Sequence, residues 1–175
     1  MNREILFKAK RKDDGEWVEG DFQHTKYDDV IWIADVRGEK CYRCDSGTLC
    51  QYTGLHDKTK WEEFTKAEKE SFLSGWNYKK GRKNKVEDWE GKRIWENDIL
   101  RGYQYPYRSD GNDNYFAEVT WFENCPAFGI YTFKNPKSNV CGISEGNTEF
   151  MENWNSEDWE VIGNIFDNAD LLEVE

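Results

Sequence analysis

The chain has 175 residues, of which 34% are charged and 16% aromatic, and it carries a formal net charge of -11. A domain of this length buries about 70% of the surface its unfolded chain exposes, so its core needs neither metal nor disulfide, and the ring content excludes a disordered composition. No apolar run reaches the roughly 18 residues of a membrane span, and Met1 to Lys12 lacks the continuous apolar stretch of a signal peptide.

A cytoplasmic protein with no membrane partner is therefore expected. Lys137 is the last basic residue, and Glu145, Glu149, Glu152, Glu157, Asp158, Glu160, Asp167, Asp170, Glu173 and Glu175 follow it. Such an acidic field repels phosphate backbones, which disfavours nucleic-acid binding by the C-terminal part.

From the N-terminus, the segments Glu4 to Lys10 and Glu16 to Gln23 flank Lys12-Asp13-Asp14-Gly15, and the Asp-Gly pair predicts an antiparallel hairpin. Val30 to Val36 alternates, with Ile31 and Ile33 on one face and Val30, Trp32 and Ala34 on the other, leaving open which face is buried. Arg37-Gly38-Glu39 predicts a turn before a further strand at Lys40 to Cys44. Cys41, Cys44, Cys50 and His56 offer four possible zinc ligands. A single Cys-x-x-Cys with no second pair is weak support, so thiols without metal or cofactor are expected.

After Asp57 the period changes. In Phe64-Thr65-Lys66-Ala67-Glu68 the Thr precedes a Glu by three residues, which predicts a capping box and a helix starting at Thr65. Phe72, Leu73 and Trp76 then share one helical face, and Gly75 is a terminator. The basic cluster Lys79, Lys80, Arg82, Lys83 and Lys85 follows in a loop of little regular patterning, before a short turn at Val86 to Trp89. The whole of Trp61 to Glu90 reads as an inserted helical excursion docked by its aromatics.

Period two returns in Arg93 to Arg101 and Tyr115 to Glu123, separated by a polar loop that holds Tyr103, Tyr105 and Tyr107. Phe128 to Lys134 makes another strand, Asn135 to Asn155 reads as loop with one irregular strand around Val140 to Ile143, and Asp158 to Phe166 makes the final strand. A helical turn over Asn168 to Glu173 ends the chain. Many short strands and one short helix predict a mainly β fold, a small barrel or strongly bent antiparallel sheet with a helical insertion.

Two half-motifs stand on either side of the insert. The first contains Tyr52-Thr53-Gly54-Leu55-His56-Asp57, and the second is Gly91-Lys92-Arg93-Ile94-Trp95-Glu96-Asn97-Asp98-Ile99-Leu100. With Trp159-Glu160-Val161-Ile162-Gly163-Asn164 near the end, they resemble the YopX-like family of phage and prophage proteins. The resemblance implies one domain over 1–175, with an N-terminal β part at 1–60, an insertion at 61–90 and a C-terminal β-barrel part at 91–175. It also implies a barrel of Src-homology-3 type.

The motif residues have a structural reading. Gly54 permits a positive φ or a close strand approach, and Asp57 is suited to accept from turn amides. Asn97 stands where the family usually has Gly, and Asn tolerates a left-handed backbone well among non-Gly residues, so the bend before Asp98 is expected to survive. Asp98 is expected to cap that bend, with a functional carboxylate as the alternative reading. Where relatives join Asp57 to Gly91 by a tight turn, this chain opens the turn and fills it with a helix.

No Gly-x-Ser-x-Gly setting and no phosphate-cradling glycine loop is present, and His24 and His56 are the only histidines. The expectation is a non-catalytic phage accessory protein that binds other proteins, with Tyr103, Tyr105 and Tyr107 as candidate contacts. The alternative is a small-barrel nucleic-acid binder that uses the basic insert. Exposed strand edges also allow a homo-oligomer.

Overall fold

In the computed structural model the described residues are 5–24, 30–35, 38–77, 80–103, 114–134, 148–150 and 159–172. The chain divides into two compact units, one of Met1–Gly54 with Thr59–Gly91, the other of Leu55–Lys58 with Lys92–Glu175. Both are dominated by antiparallel strands, as the short alternating segments predict.

The first unit begins with the hairpin of β1 (Phe7–Lys10) and β2 (Trp17–His24), in register from Phe7 opposite Gly20 to Lys10 opposite Trp17. Gly15 closes its turn at φ 75, a backbone state open to Gly without steric cost. The sheet continues through β3 (Val30–Asp35), β4 (Cys41–Asp45) and β5 (Cys50–His56), in the order β4-β3-β2-β1-β5.

The sheet curls back on itself. Arg11, just beyond β1, bridges Cys44 of β4, and the amide of Lys12 donates to the carbonyl of Arg43 at 2.9 Å. A single 3-10 turn, Ser46–Thr48, joins β4 to β5, and the Thr48 hydroxyl accepts from the Lys10 amide at 2.9 Å. This curled, barrel-like meander packs Ala9, Ile31, Ile33 and Cys44 against Phe7, Val18, Phe22, Tyr42 and Leu49. Strand β3 is buried on both faces, since Val30 and Ala34 are covered as well as Ile31 and Ile33. Gly20 is required where β2 passes β3, because a Cβ there would stand 1.7 Å from the Ala34 carbonyl oxygen.

The insert adds α1 (Lys66–Ser74) and a two-stranded hairpin of β6 (Trp76–Asn77) and β7 (Arg82–Lys83). Two expectations change here. Gly75 ends α1 at φ -69 rather than in a left-handed state, so its smallness serves a close approach instead: a Cβ would meet the Asn84 amide nitrogen at 2.9 Å. Trp76 belongs to β6 rather than to the helix, and part of the basic loop is this hairpin, turned by Gly81 at φ 61.

The second unit holds β8 (Arg93–Trp95), β9 (Asp98–Tyr103), β10 (Asn114–Phe122), β11 (Ala127–Lys134), β12 (Thr148–Phe150) and β13 (Trp159–Asn164). The last five form a sheet ordered β12-β11-β10-β9-β13. Its apolar core consists of Ile94, Leu100, Ala117, Val119, Phe128, Ile130 and Trp159, with Leu55 and Val161 packed against it. Thr148–Phe150 pairs with β11 as a strand where the polar composition had predicted loop. The predicted strand around Val140 to Ile143 lies outside the described residues. A 3-10 turn, Ala169–Leu171, stands where a terminal helical turn was expected.

Candidate interaction site

The insert is organised by two local devices, rings and one carboxylate. Thr65 caps α1 as its spacing predicts: its hydroxyl accepts from the Glu68 amide at 3.3 Å, and the Glu68 carboxylate accepts from the Thr65 amide at 2.8 Å. The helix presents Phe72 to a ring cluster. Phe64 lies 4.2 Å and Phe72 5.0 Å from Trp89, both edge-on, and Trp61 lies 5.7 Å from Phe72. Edge-to-face pairs of this kind add to the apolar area the rings already remove from water. The Trp89 indole donates to the Thr59 carbonyl at 2.9 Å, tying the two ends of the insert together.

The carboxylate is Asp88, whose side chain is only 1% exposed. Arg82 clamps it with two donors, Nη1 to Oδ2 at 2.6 Å and Nη2 to Oδ1 at 3.0 Å, and Lys80 Nζ donates to Oδ1. The amide of Lys85 donates to it at 2.8 Å. The Arg82 hydrogen bonds, then that of Lys80, hold the Asp88 carboxyl far below the ordinary carboxylate range and raise the Arg82 guanidinium in turn. Glu87 stands 3.7 Å from both Arg82 and Lys85. Lys80, Arg82 and Lys85 therefore stand against acids of the same segment. Lys83 is exposed on β7.

Asp88 was missed as a hub by reading Val86 to Trp89 merely as a turn. A signal was available, since an Asp three residues after Lys85 can close a turn by accepting from the Lys85 amide.

In the second unit Asp57, Asn97 and Asp98 form a separate hydrogen-bond system. Asp57 is buried, and its carboxylate spans remote segments: Oδ1 accepts from the Lys92 amide at 2.8 Å and Oδ2 from the Val161 amide at 2.9 Å. Its own amide donates to the Lys92 carbonyl at 2.9 Å. The chain thus leaves at Asp57 and returns beside it at Lys92, so the half-motifs are neighbours in space despite the insert. Asp57 acts on these distant strands rather than on a local turn. Asn97 takes φ 66, the left-handed bend expected of it, and Asp98 accepts from the Trp95 amide at 2.8 Å as the predicted cap.

The Asn97 amide donates to the Val119 carbonyl of β10 and its own carbonyl accepts from the Ile165 amide just after β13, which fastens the bend on both sides. Gly54 has φ 88 and Gly91 φ 111. Tyr52 and Trp159 are buried. Gly163 sits at a register shift between β13 and β9, where a Cβ would meet the Asn168 side-chain oxygen at 2.4 Å.

Of the remaining candidates, Lys79, Tyr105 and Tyr107 lie outside the described residues, and Tyr103 is the last residue of β9. Cys41 is exposed while Cys44 and Cys50 are buried, their thiols donating to the carbonyls of Tyr42 and Thr48. Burial pushes the Cys44 thiol up, which keeps it protonated. Among the described residues no three His, Cys, Asp or Glu side chains are grouped to hold a metal ion. None of the described helices is long and apolar enough to cross a membrane.

These features define a mainly β protein in which one strand-rich unit carries an aromatic insert and the other is laced by a buried Asp. The family model described as YopX protein matches residues 80–173, just over half of the chain, and the chain belongs to that family. The match takes in Gly91 to Leu100 and Trp159 to Asn164, and begins within the insert. Comparison with curated proteins and with solved structures returns no match.

Proposed function

We propose that this chain is a non-catalytic accessory protein of a phage or prophage, working in the host cytoplasm by binding another protein. The observation that carries this reading is the pairing of Lys80, Arg82 and Lys85 with acids of the same segment. Lys80 and Arg82 are held by Asp88, and Arg82 and Lys85 stand beside Glu87, so three of the five cations clustered in the sequence stand against acids of the same segment. With a net charge of -11 over the whole chain, a polyanionic ligand meets repulsion and a basic protein surface meets attraction. The YopX membership and the half-motif resemblance supply the phage setting of this reading.

The test is capture of partners by the tagged, purified protein from host cells, followed by reconstitution with the purified candidate. Saturable binding that survives nuclease treatment and about 150 mM salt is expected. Retained material that is nucleic acid, lost steeply as salt rises, would overturn the reading in favour of a small-barrel nucleic-acid binder.

A further inference from the structure

Strand β10 has two unlike faces. Ala117 and Val119 are fully buried in the apolar core, whereas Phe116, Glu118, Thr120 and Phe122 alternate with them on the opposite face and are only half-buried. Across the ladder on that face, Glu118 stands opposite Tyr131 of β11 and Ile99 of β9. Residues directly opposite in such a ladder lie about 5 Å apart at Cβ, so the Glu118 carboxylate is bordered by a ring and an aliphatic side chain. Rings also line the strand to either side: Phe116, two residues away, lies 6.4 Å from Phe133, and Phe122, four residues away, lies 5.4 Å from Phe150 on β12. Tyr131 is 42% exposed, so this part of the face is open to solvent.

The surroundings of Glu118 contrast with those of its neighbour on the same face. Arg101 and Glu160 pair across β9 and β13 at 2.6 Å. Among the described residues Glu118 has no such counter-ion, and no described donor is hydrogen-bonded to it. Burial alone acts on its carboxyl, raising it above the ordinary carboxylate range. A half-buried carboxylate set among rings costs stability unless something satisfies it.

We propose that this face receives an arginine side chain presented by a partner protein, with Glu118 as its ion-pair acceptor and Tyr131 and Phe116 as ring neighbours. Arginine suits the site better than lysine. Its planar guanidinium binds a carboxylate bidentately and stacks on aromatic faces, and its weaker hydration lowers the cost of entry. The acidic chain as a whole would steer such a basic segment toward it. This inference rests on the protein-binding reading for its class of partner, and it places the contact on the β10-β11-β12 face instead of the insert.

The experiment titrates the full-length protein with a capped octapeptide holding two arginines in a glycine-serine background, and with matched lysine and norleucine peptides, while ring proton resonances of Tyr131 and Phe116 are followed. Saturable shifts with the arginine peptide are expected, weaker ones with lysine and none with norleucine. Glu118→Gln is expected to weaken arginine binding at least about tenfold while leaving the fold's amide spectrum unchanged.

No binding by the wild type, or equal binding by Glu118→Gln, overturns the proposal. Shifts of equal size with the norleucine peptide would also overturn it, since they would report an apolar groove with no use for the carboxylate. A second variant, Tyr131→Ala, guards against a general charge effect, because loss of binding there with the charge intact is expected only of a ring-lined site. If either variant still takes up the purified host partner as the wild type does while losing the peptide, the protein-binding reading stands and this site is wrong.

Discussion

The insert and the second unit are each organised around a buried aspartate, yet the two carboxylates work over very different distances along the chain. Asp88 gathers Lys80, Arg82 and the Lys85 amide, all within eight residues of it. Asp57 instead reaches across 35 residues to Lys92 and across 104 to Val161. The first arrangement closes a local excursion, and the second ties remote segments of the chain together. Two hydrogen bonds between Asp57 and Lys92 hold the ends of the intervening segment together, and the loop-closure cost of a long connection rises only slowly with its length.

Breaking Asp57 is accordingly expected to have the largest effect. Asp57→Ala removes two charge-assisted acceptors and orphans two amides, so a loss of about 3 kcal/mol in urea unfolding is expected. A loss under about 1 kcal/mol would show that the strands are held without it. Trp89→Ala, which empties the centre of the ring cluster, is expected to cost about 2 kcal/mol, less than a fully buried ring because Trp89 is half-buried. Limited proteolysis should then cut within Thr59–Gly91 first.

Thr65→Ala should remove about 1 kcal/mol through the lost cap of α1. Asn97→Gly is expected to be close to neutral, because both residues accept the left-handed bend, whereas Asn97→Val should destabilise clearly.

Acid sharpens the same comparison. The carboxyl of Asp88 is depressed in the folded state, so its contribution is present above the ordinary aspartate range near pH 4 and is lost as pH falls below it. Glu118 has the opposite sign: raised by burial, it favours the fold when protonated, and that contribution is lost as pH rises through its folded value. Asp88→Asn should therefore flatten the acid limb of the stability curve, and Glu118→Gln should remove a loss that sets in above the ordinary glutamate range. Thermal melts at stepped pH measure both.

Much of this was legible from residue spacing. The Asp-Gly hairpin and the Thr65 to Glu68 capping box follow from chemistry within a few residues, the left-handed Asn97 and the Asp98 cap follow from the family resemblance at that bend, and all four stand in the structure. The partners of Asp57 could not be read that way, because Val161 is fixed by tertiary pairing rather than by any local pattern. Asp88 escaped notice because acids are abundant in this chain, and only the fold shows which one the basic residues surround.

Gly75 was recognised as a stop but for the wrong backbone reason, since its role depends on Asn84 nine residues later. Glu118 was visible only as one polar step in an alternating strand, and its lack of a counter-ion is a property of the assembled sheet.

The proposal of a protein binder rests on Lys80, Arg82 and Lys85 standing against Asp88 and Glu87 of the same segment. The measurement that tests it most directly is fluorescence anisotropy of labelled single- and double-stranded oligonucleotides, titrated with the full-length protein at about 50 mM salt and again at about 200 mM. No saturable binding is expected for the wild type. Micromolar binding that weakens steeply with salt and disappears in Lys83→Ala, Lys85→Ala would contradict the account.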